Sequence, residues 1–135
     1  MKKVLIFGVF DGIHEGHRTL FREAKKYGDR LIAVVTQDTV AERLKGHLPK
    51  FNLGKRVDEL QKEKIVNEVA LGDAELGSYE VVLKRRPDII ALGYDQKSLK
   101  KNLEENMEKF DWRPEIKIMS PYKPEQYHSS KLNEY

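Results

Sequence analysis

"VLIFGVFDGIHEGH", Val4 to His17, decides how the rest of the chain is read. Its first half is apolar and rich in branched side chains, the composition of a strand covered on both faces of a parallel sheet. Its second half supplies glycines, an aspartate and two of the chain's four histidines, His14 and His17. In an open α/β sheet, ligands bind beyond the carboxyl ends of the strands, near the point where strand order reverses. A loop that leaves a strand near Phe10 and enters a helix near Gly16 has that address. The unpaired N–H groups and dipole of the helix start favour an anion there. Gly8, Gly12 and Gly16 let backbone approach a ligand because no Cβ intervenes. Each imidazole can donate a hydrogen bond to a phosphate oxygen, which suits a reaction that builds negative charge on phosphorus. Without context, the His-x-x-His spacing equally describes a surface or structural pair, or half of a metal site. The preceding strand, following helix and interleaved glycines favour phosphate.

Outward from this stretch, four more apolar runs follow: "RLIAVVT" (Arg30–Thr36), "KIVNEVALG" (Lys64–Gly72), "DIIALG" (Asp88–Gly93) and "EIKIMS" (Glu115–Ser120). The last alternates, with Ile116 and Ile118 on one side and Lys117 on the other, and reads as a less buried strand nearer an edge. Between the runs lie stripes at helical spacing. Leu20, Phe21, Ala24 and Tyr27 form one, stopped by Gly28. Val57 with Leu60, and Tyr79 with Val82 and Leu83, form weaker ones. Leu99, Leu103, Met107 and Phe110 predict a longer helix beginning near Gln96. Strand alternating with helix implies right-handed crossovers and a doubly wound α/β domain with a five-stranded parallel sheet. "KGHLPKFNLG" (Lys45–Gly54) reads as a long loop. Pro114 biases Arg113 away from helix in the tighter link "DWRPE". "HSSKLNEY" (His128–Tyr135) reads as a short serine-capped helix that needs docking.

Composition narrows the function. The 135 residues fit one domain, with 39% hydrophobic and 35% charged residues. Twenty-five basic residues against 22 acidic ones leave a net charge of +3 without a concentrated basic stripe, a weak basis for nucleic-acid binding. With no cysteine there is no disulfide, thiolate metal site or cysteine nucleophile. The apolar stretch near the N-terminus is short and ends in aspartate and glycine, unlike a signal peptide. No apolar run approaches the length needed to cross a bilayer. A cytoplasmic enzyme or binding module is expected.

"GVFDGIHEGH" resembles the G-x-F-D-x-x-H-x-G-H signature of the nucleotidyltransferase superfamily that includes cytidylyltransferases, pantetheine-phosphate adenylyltransferase and archaeal-type FAD synthases. The likeness continues in "VTQDTVAERLKG", "KRVDEL", "ALGYDQ" and "HSSKL", so it spans residues 1–135 as a single Rossmann-like domain. It implies that His14 and His17 stabilise the transition state at the α-phosphate, and that Gly8, Val9, Phe10 and Gly16 lie along the nucleotide phosphates. Asp11 then orients the loop or approaches a magnesium ion, with local capping of the turn as the alternative. Lys45 neutralises phosphate charge, or is one more solvated lysine. Arg56 at a helix start is electrostatically misplaced unless an anion lies near, which marks it for phosphate, with Lys55 as competitor. Gly93 and Asp95 end the fourth strand on the ligand side, Asp95 touching ribose or base or capping the next helix. Ser129 and Ser130 open the terminal helix at a second anion site. His128 stands where cytidylyltransferases often carry serine; His47 reads as solvated. Trp112 and the tyrosines are candidates for stacking on a base or flavin, or for core and rim positions.

The implied reaction is nucleotidyl transfer: a phosphate oxygen of the acceptor attacks the α-phosphorus of a nucleoside triphosphate, and pyrophosphate leaves. Mg2+ is expected with the triphosphate, bound mainly by phosphate oxygens and water rather than by a protein metal site. "ALGYDQ" followed by a lysine-rich helix, with the "YHSSKL" ending, is most similar to archaeal-type FAD synthases, implying ATP and FMN as substrates and no membrane or nucleic-acid partner. The alternatives are a cytidylyltransferase using CTP and a small phosphorylated alcohol such as glycerol 3-phosphate, and a non-catalytic nucleotide- or nucleic-acid-binding module. The resemblance also suggests a homodimer.

Overall fold

The computed structural model describes residues 1–75 and 77–119. Five parallel strands form one sheet: β1 (Lys3–Gly8), β2 (Arg30–Val35), β3 (Glu68–Leu71), β4 (Ile89–Leu92) and β5 (Glu115–Ile118), in the order β3-β2-β1-β4-β5. β1 lies at the centre, with Leu5 opposite Ile32 of β2 and Ile90 of β4. The chain steps from β1 to β2 to β3 on one side, then crosses to β4 on the other. The order therefore reverses between β1 and β4, and open sheets of this kind bind ligands in a crevice beyond the carboxyl ends at such a point.

The near-continuous apolar strands follow from burial on both faces. Val4 and Ile6 pack with Phe21, Ala24 and Leu60 from α1 (Glu15–Lys25) and α3 (Leu53–Gln61). Leu5 and Phe7 pack with Val82, Leu99 and Leu103 from α4 (Glu80–Arg85) and α5 (Lys97–Glu105). Each of the larger side chains among them, taken fully out of water, contributes about 1.5–3 kcal/mol. β5 is an edge strand, as expected, but its alternation does not hold: Ile116 packs against the core and Lys117 is half-buried, while Ile118 is exposed. No helix among the described residues is long and apolar enough to cross a membrane.

Element boundaries depart from the sequence pattern in informative places. The third apolar run is strand only over its last four residues before Gly72. The stripe from Leu99 to Phe110 is not one helix. α5 stops at Glu105, Asn106 turns its side-chain amide back onto the Asn102 carbonyl at 2.8 Å, and a single 3-10 turn (Met107–Lys109) carries Phe110 into the core. An additional helix, α2 (Asp38–Lys45), fills the segment after β2 and ends on Gly46, whose φ of 83° lies in the left-handed region. The irregular link is accordingly shorter than expected, running from Gly46 to Asn52, and Asn52 caps α3 by accepting from the Lys55 N–H at 2.9 Å.

Candidate active site

β1 delivers its carboxyl end to the crevice, and the next residues turn sharply. Phe10 has φ 54°, a left-handed conformation costly for a non-glycine residue. Its ring folds back beneath Gly8, where an added Cβ would lie 2.7 Å from the ring. The missing Cβ of Gly8 thus makes room for Phe10 rather than for a ligand. Gly12 has φ 94°, which glycine alone adopts without strain.

The two histidines form a reciprocal cap on α1. His14 is its N-cap: Nδ1 accepts from the N–H of Gly16 at 3.0 Å and from that of His17 at 3.4 Å, while His17 Nδ1 accepts from the His14 N–H at 3.3 Å. A ring nitrogen that accepts must carry a lone pair, so each neutral imidazole holds its proton on Nε2. The rings stack with centroids 3.9 Å apart, and Phe10 meets His17 edge-on at 5.6 Å. His17 is 7% exposed. Burial above all, then the positive charges of His14, Lys45 and Arg18, push His17 down to about 3, and burial with Arg18 lowers His14 as well. At neutral pH the site therefore presents two uncharged imidazoles of defined tautomer.

Lys45, the last residue of α2, is half-buried and close enough for its charge to act on His17. Asp11 does not cap its own turn: its carboxylate accepts from the backbone N–H of Lys50 at 2.6 Å and of Phe51 at 2.9 Å, tying the distant link to the site loop. Arg56 departs from the sequence expectation of a phosphate-facing cation. It is 1% exposed and donates to the carbonyls of Val9, Thr36 and Phe51 and to the Asp38 carboxylate. The anion that excuses a cation near a helix start is thus supplied by the protein itself. Lys55 is exposed and pairs with Glu59 at 3.1 Å.

Across the crevice, Gly93 and Asp95 follow β4. Gln96, unsuspected from sequence, is 3% exposed and stitches the switch point: its Oε1 accepts from the Gly93 N–H at 2.9 Å and its Nε2 donates to the Phe7 carbonyl at 3.0 Å. Thr36, also unforeseen, donates from Oγ1 to the Gly8 carbonyl at 3.2 Å. Beside Gly93 lies an open depression of about 340 Å³ lined by Tyr94, Lys97, Lys100, Lys101, Glu104 and Ile118. Trp112 sits at the opposite end of the sheet, its indole N–H donating to the Pro87 carbonyl at 2.8 Å and its ring under Arg86. His47 is exposed in the link. Ser129, Ser130 and His128 lie outside the described residues. Among the described residues no three His, Asp or Glu side chains cluster to hold a metal ion.

The sheet order and the histidine-capped loop at its switch point define an α/β domain of cytidylyltransferase type. The chain belongs to the cytidylyltransferase-like family, whose pattern matches residues 5–134. Among its curated relatives, the FAD synthase of Thermococcus sibiricus is 37% identical over 131 residues, covering 96% of this chain and 88% of that protein. The FAD synthase of Aciduliprofundum boonei is 44% identical over 109 residues, 81% of this chain and 72% of its own. A crystal structure described as the lipopolysaccharide core biosynthesis protein from Thermoplasma volcanium GSS1 aligns with a TM-score of 0.83 at 36% identity, covering 91% of this chain and 99% of that one. The pantoate-beta-alanine ligase of Francisella tularensis, 11% identical with a TM-score of 0.60 over 96% of this chain and 66% of its own, shares the fold alone.

Proposed function

We propose that this chain is an adenylyltransferase that joins ATP to FMN, giving FAD and pyrophosphate. The carrying observation is the reciprocal histidine cap, which fixes two neutral imidazoles, protonated on Nε2, at the amino end of α1. Neutral donors suit a centre that must release a highly charged product, because they stabilise growing charge without holding a polyanion as an ion pair would. An FMN phosphate oxygen attacks the α-phosphorus of ATP, the bond from that phosphorus to the oxygen bridging it to the β-phosphate breaks, and pyrophosphate departs with the electron pair. A phosphate monoester has a second pKa of about 6, so the nucleophile arrives ionised and needs no general base. His14 and His17 donate to the α-phosphate oxygens as charge builds, and Lys45 neutralises phosphate charge. Gly8 to Asp11 form the phosphate-side backbone wall, and Gly93 and Asp95 face the nucleoside. A divalent ion such as Mg2+ would enter with the triphosphate, bound mainly by phosphate oxygens and water.

The relatives named FAD synthase support FMN as acceptor. The test is to incubate the chain with Mg2+ and either ATP plus FMN or CTP plus glycerol 3-phosphate, following pyrophosphate release and separating the flavins chromatographically. FAD from the first pair is the expected result. Product from the second pair alone transfers the reading to a cytidylyltransferase. No product from either removes the enzymatic reading.

A further inference from the structure

A guanidinium buried as deeply as that of Arg56 is costly, and a similarly sized apolar side chain would pack there without desolvating a charge. The arginine must therefore supply something through its hydrogen bonds. Its Nη1 donates to the carbonyls of Val9 at 2.8 Å and Thr36 at 2.7 Å, its Nε to that of Phe51 at 3.0 Å, and its Nη2 to Asp38 Oδ1 at 2.5 Å. These acceptors come from the site loop, the end of β2, the Gly46–Asn52 link and the start of α2. One planar group thus fixes the mutual positions of four segments, which a point charge on a flexible stem does less well.

The site loop is held at several residues around its strained turn. The Gly8 carbonyl accepts from the Thr36 N–H and hydroxyl, the Val9 carbonyl from Arg56, and the Asp11 carboxylate from Lys50 and Phe51. Between them stands Phe10, left-handed, with its ring against His17. Strain of this kind persists only where the surroundings over-determine it. From this geometry we infer that Arg56 is a positioning residue: through the Val9 and Thr36 carbonyls it holds the Phe10 turn that seats the histidine pair, and it does not touch the nucleotide. Through Asp38 it also sets the α2 helix that ends in Lys45. The inference rests on the reading that the histidines serve phosphoryl chemistry, but the seating of the rings is measurable without turnover.

Arg56→Lys keeps the charge and loses the fork, and Arg56→Gln removes the buried charge, leaving Asp38 partly hydrated. In both, kcat for FAD formation should fall by about a hundredfold, the scale of a small misplacement of catalytic groups, with KM for ATP and FMN shifting about threefold or less. Imidazole 15N spectra of the ligand-free proteins should show one Nε2–H tautomer for both rings in the wild type and a tautomer mixture in the variants. In the wild type, magnesium-ATP should shift the histidine signals and leave the Arg56 guanidinium signals in place. The inference is overturned if the variants lose ATP affinity with histidine spectra unchanged, or if they lose only thermal stability. A direct response of the Arg56 guanidinium to magnesium-ATP overturns it too, and this last measurement needs no variant to fold. If the wild type makes no FAD while the variant spectra change as stated, the functional reading fails and the positioning role stands.

Discussion

Replacing His14 with asparagine separates two tasks that the ring performs at once. As N-cap of α1, His14 satisfies the Gly16 N–H at 3.0 Å and the more distant His17 N–H at 3.4 Å through Nδ1. Those are the donors an asparagine oxygen reaches from the same position, and asparagine is a favoured N-cap. His14→Ala leaves both donors without this acceptor and should cost about 0.5–2 kcal/mol. For a domain of this size that lowers Tm by about 3–6 °C per kcal/mol. His14→Asn should unfold at the wild-type temperature. Neither variant keeps an imidazole N–H toward the α-phosphate, and losing one donor to developing charge costs about 10²–10³ in kcat, or about 2.7–4 kcal/mol. His14→Asn should therefore match the wild type in calorimetry and be nearly inactive in a pyrophosphate-release assay with ATP and FMN. If it turned over within about threefold of wild type, His14 would not be the donor. If it lost as much stability as His14→Ala, the capping argument would fail.

Other consequences concern the same loop and its surroundings. The folded pKa of His17, about 3, lies below its ordinary 6.5, so the unfolded chain takes up a proton that the folded one refuses. The stability this confers is fully present above pH 6.5 and is lost as pH falls towards 3, by at most about 1.4 kcal/mol per pH unit; urea titrations should show a shallower acid dependence in His17→Gln. Gly8→Ala sets a Cβ 2.7 Å from the Phe10 ring and should cost about 1–3 kcal/mol with loss of turnover, read from calorimetry and the same assay. Gln96→Leu strips the Phe7 carbonyl and Gly93 N–H of their shared partner and should cost about 1–3 kcal/mol, with faster amide exchange at Gly93.

How much of the fold and site was legible in the sequence is clearest at particular residues. The strand at Val4–Gly8 was visible because both-face burial leaves a local mark, an apolar run without polar interruption. His14 and His17 were visible because their spacing after a strand is itself the signal. Arg56 was noticed for the right reason, a cation near a helix start, but assigned the wrong neighbour, since Asp38 stands 18 residues away in sequence. Nothing in the local pattern marks Thr36 or Asp38, and Gln96 stands out only by adjoining Asp95. The long stripe to Phe110 kept helical spacing through a break that Asn106 imposes by hydrogen bonding, not by periodicity.

By itself the sequence determined the alternation of strands and helices, the doubly wound class, and the loop that carries the histidines. Each depends on burial periodicity or on neighbours a few residues apart. Only the folded chain decided what Asp11, Arg56 and Gln96 do, because each has a partner, 39–40, 47 and 89 residues away respectively, that it meets only when the sheet is assembled. It also decided the histidine tautomers, since a proton's place on a ring follows from which backbone N–H points at it.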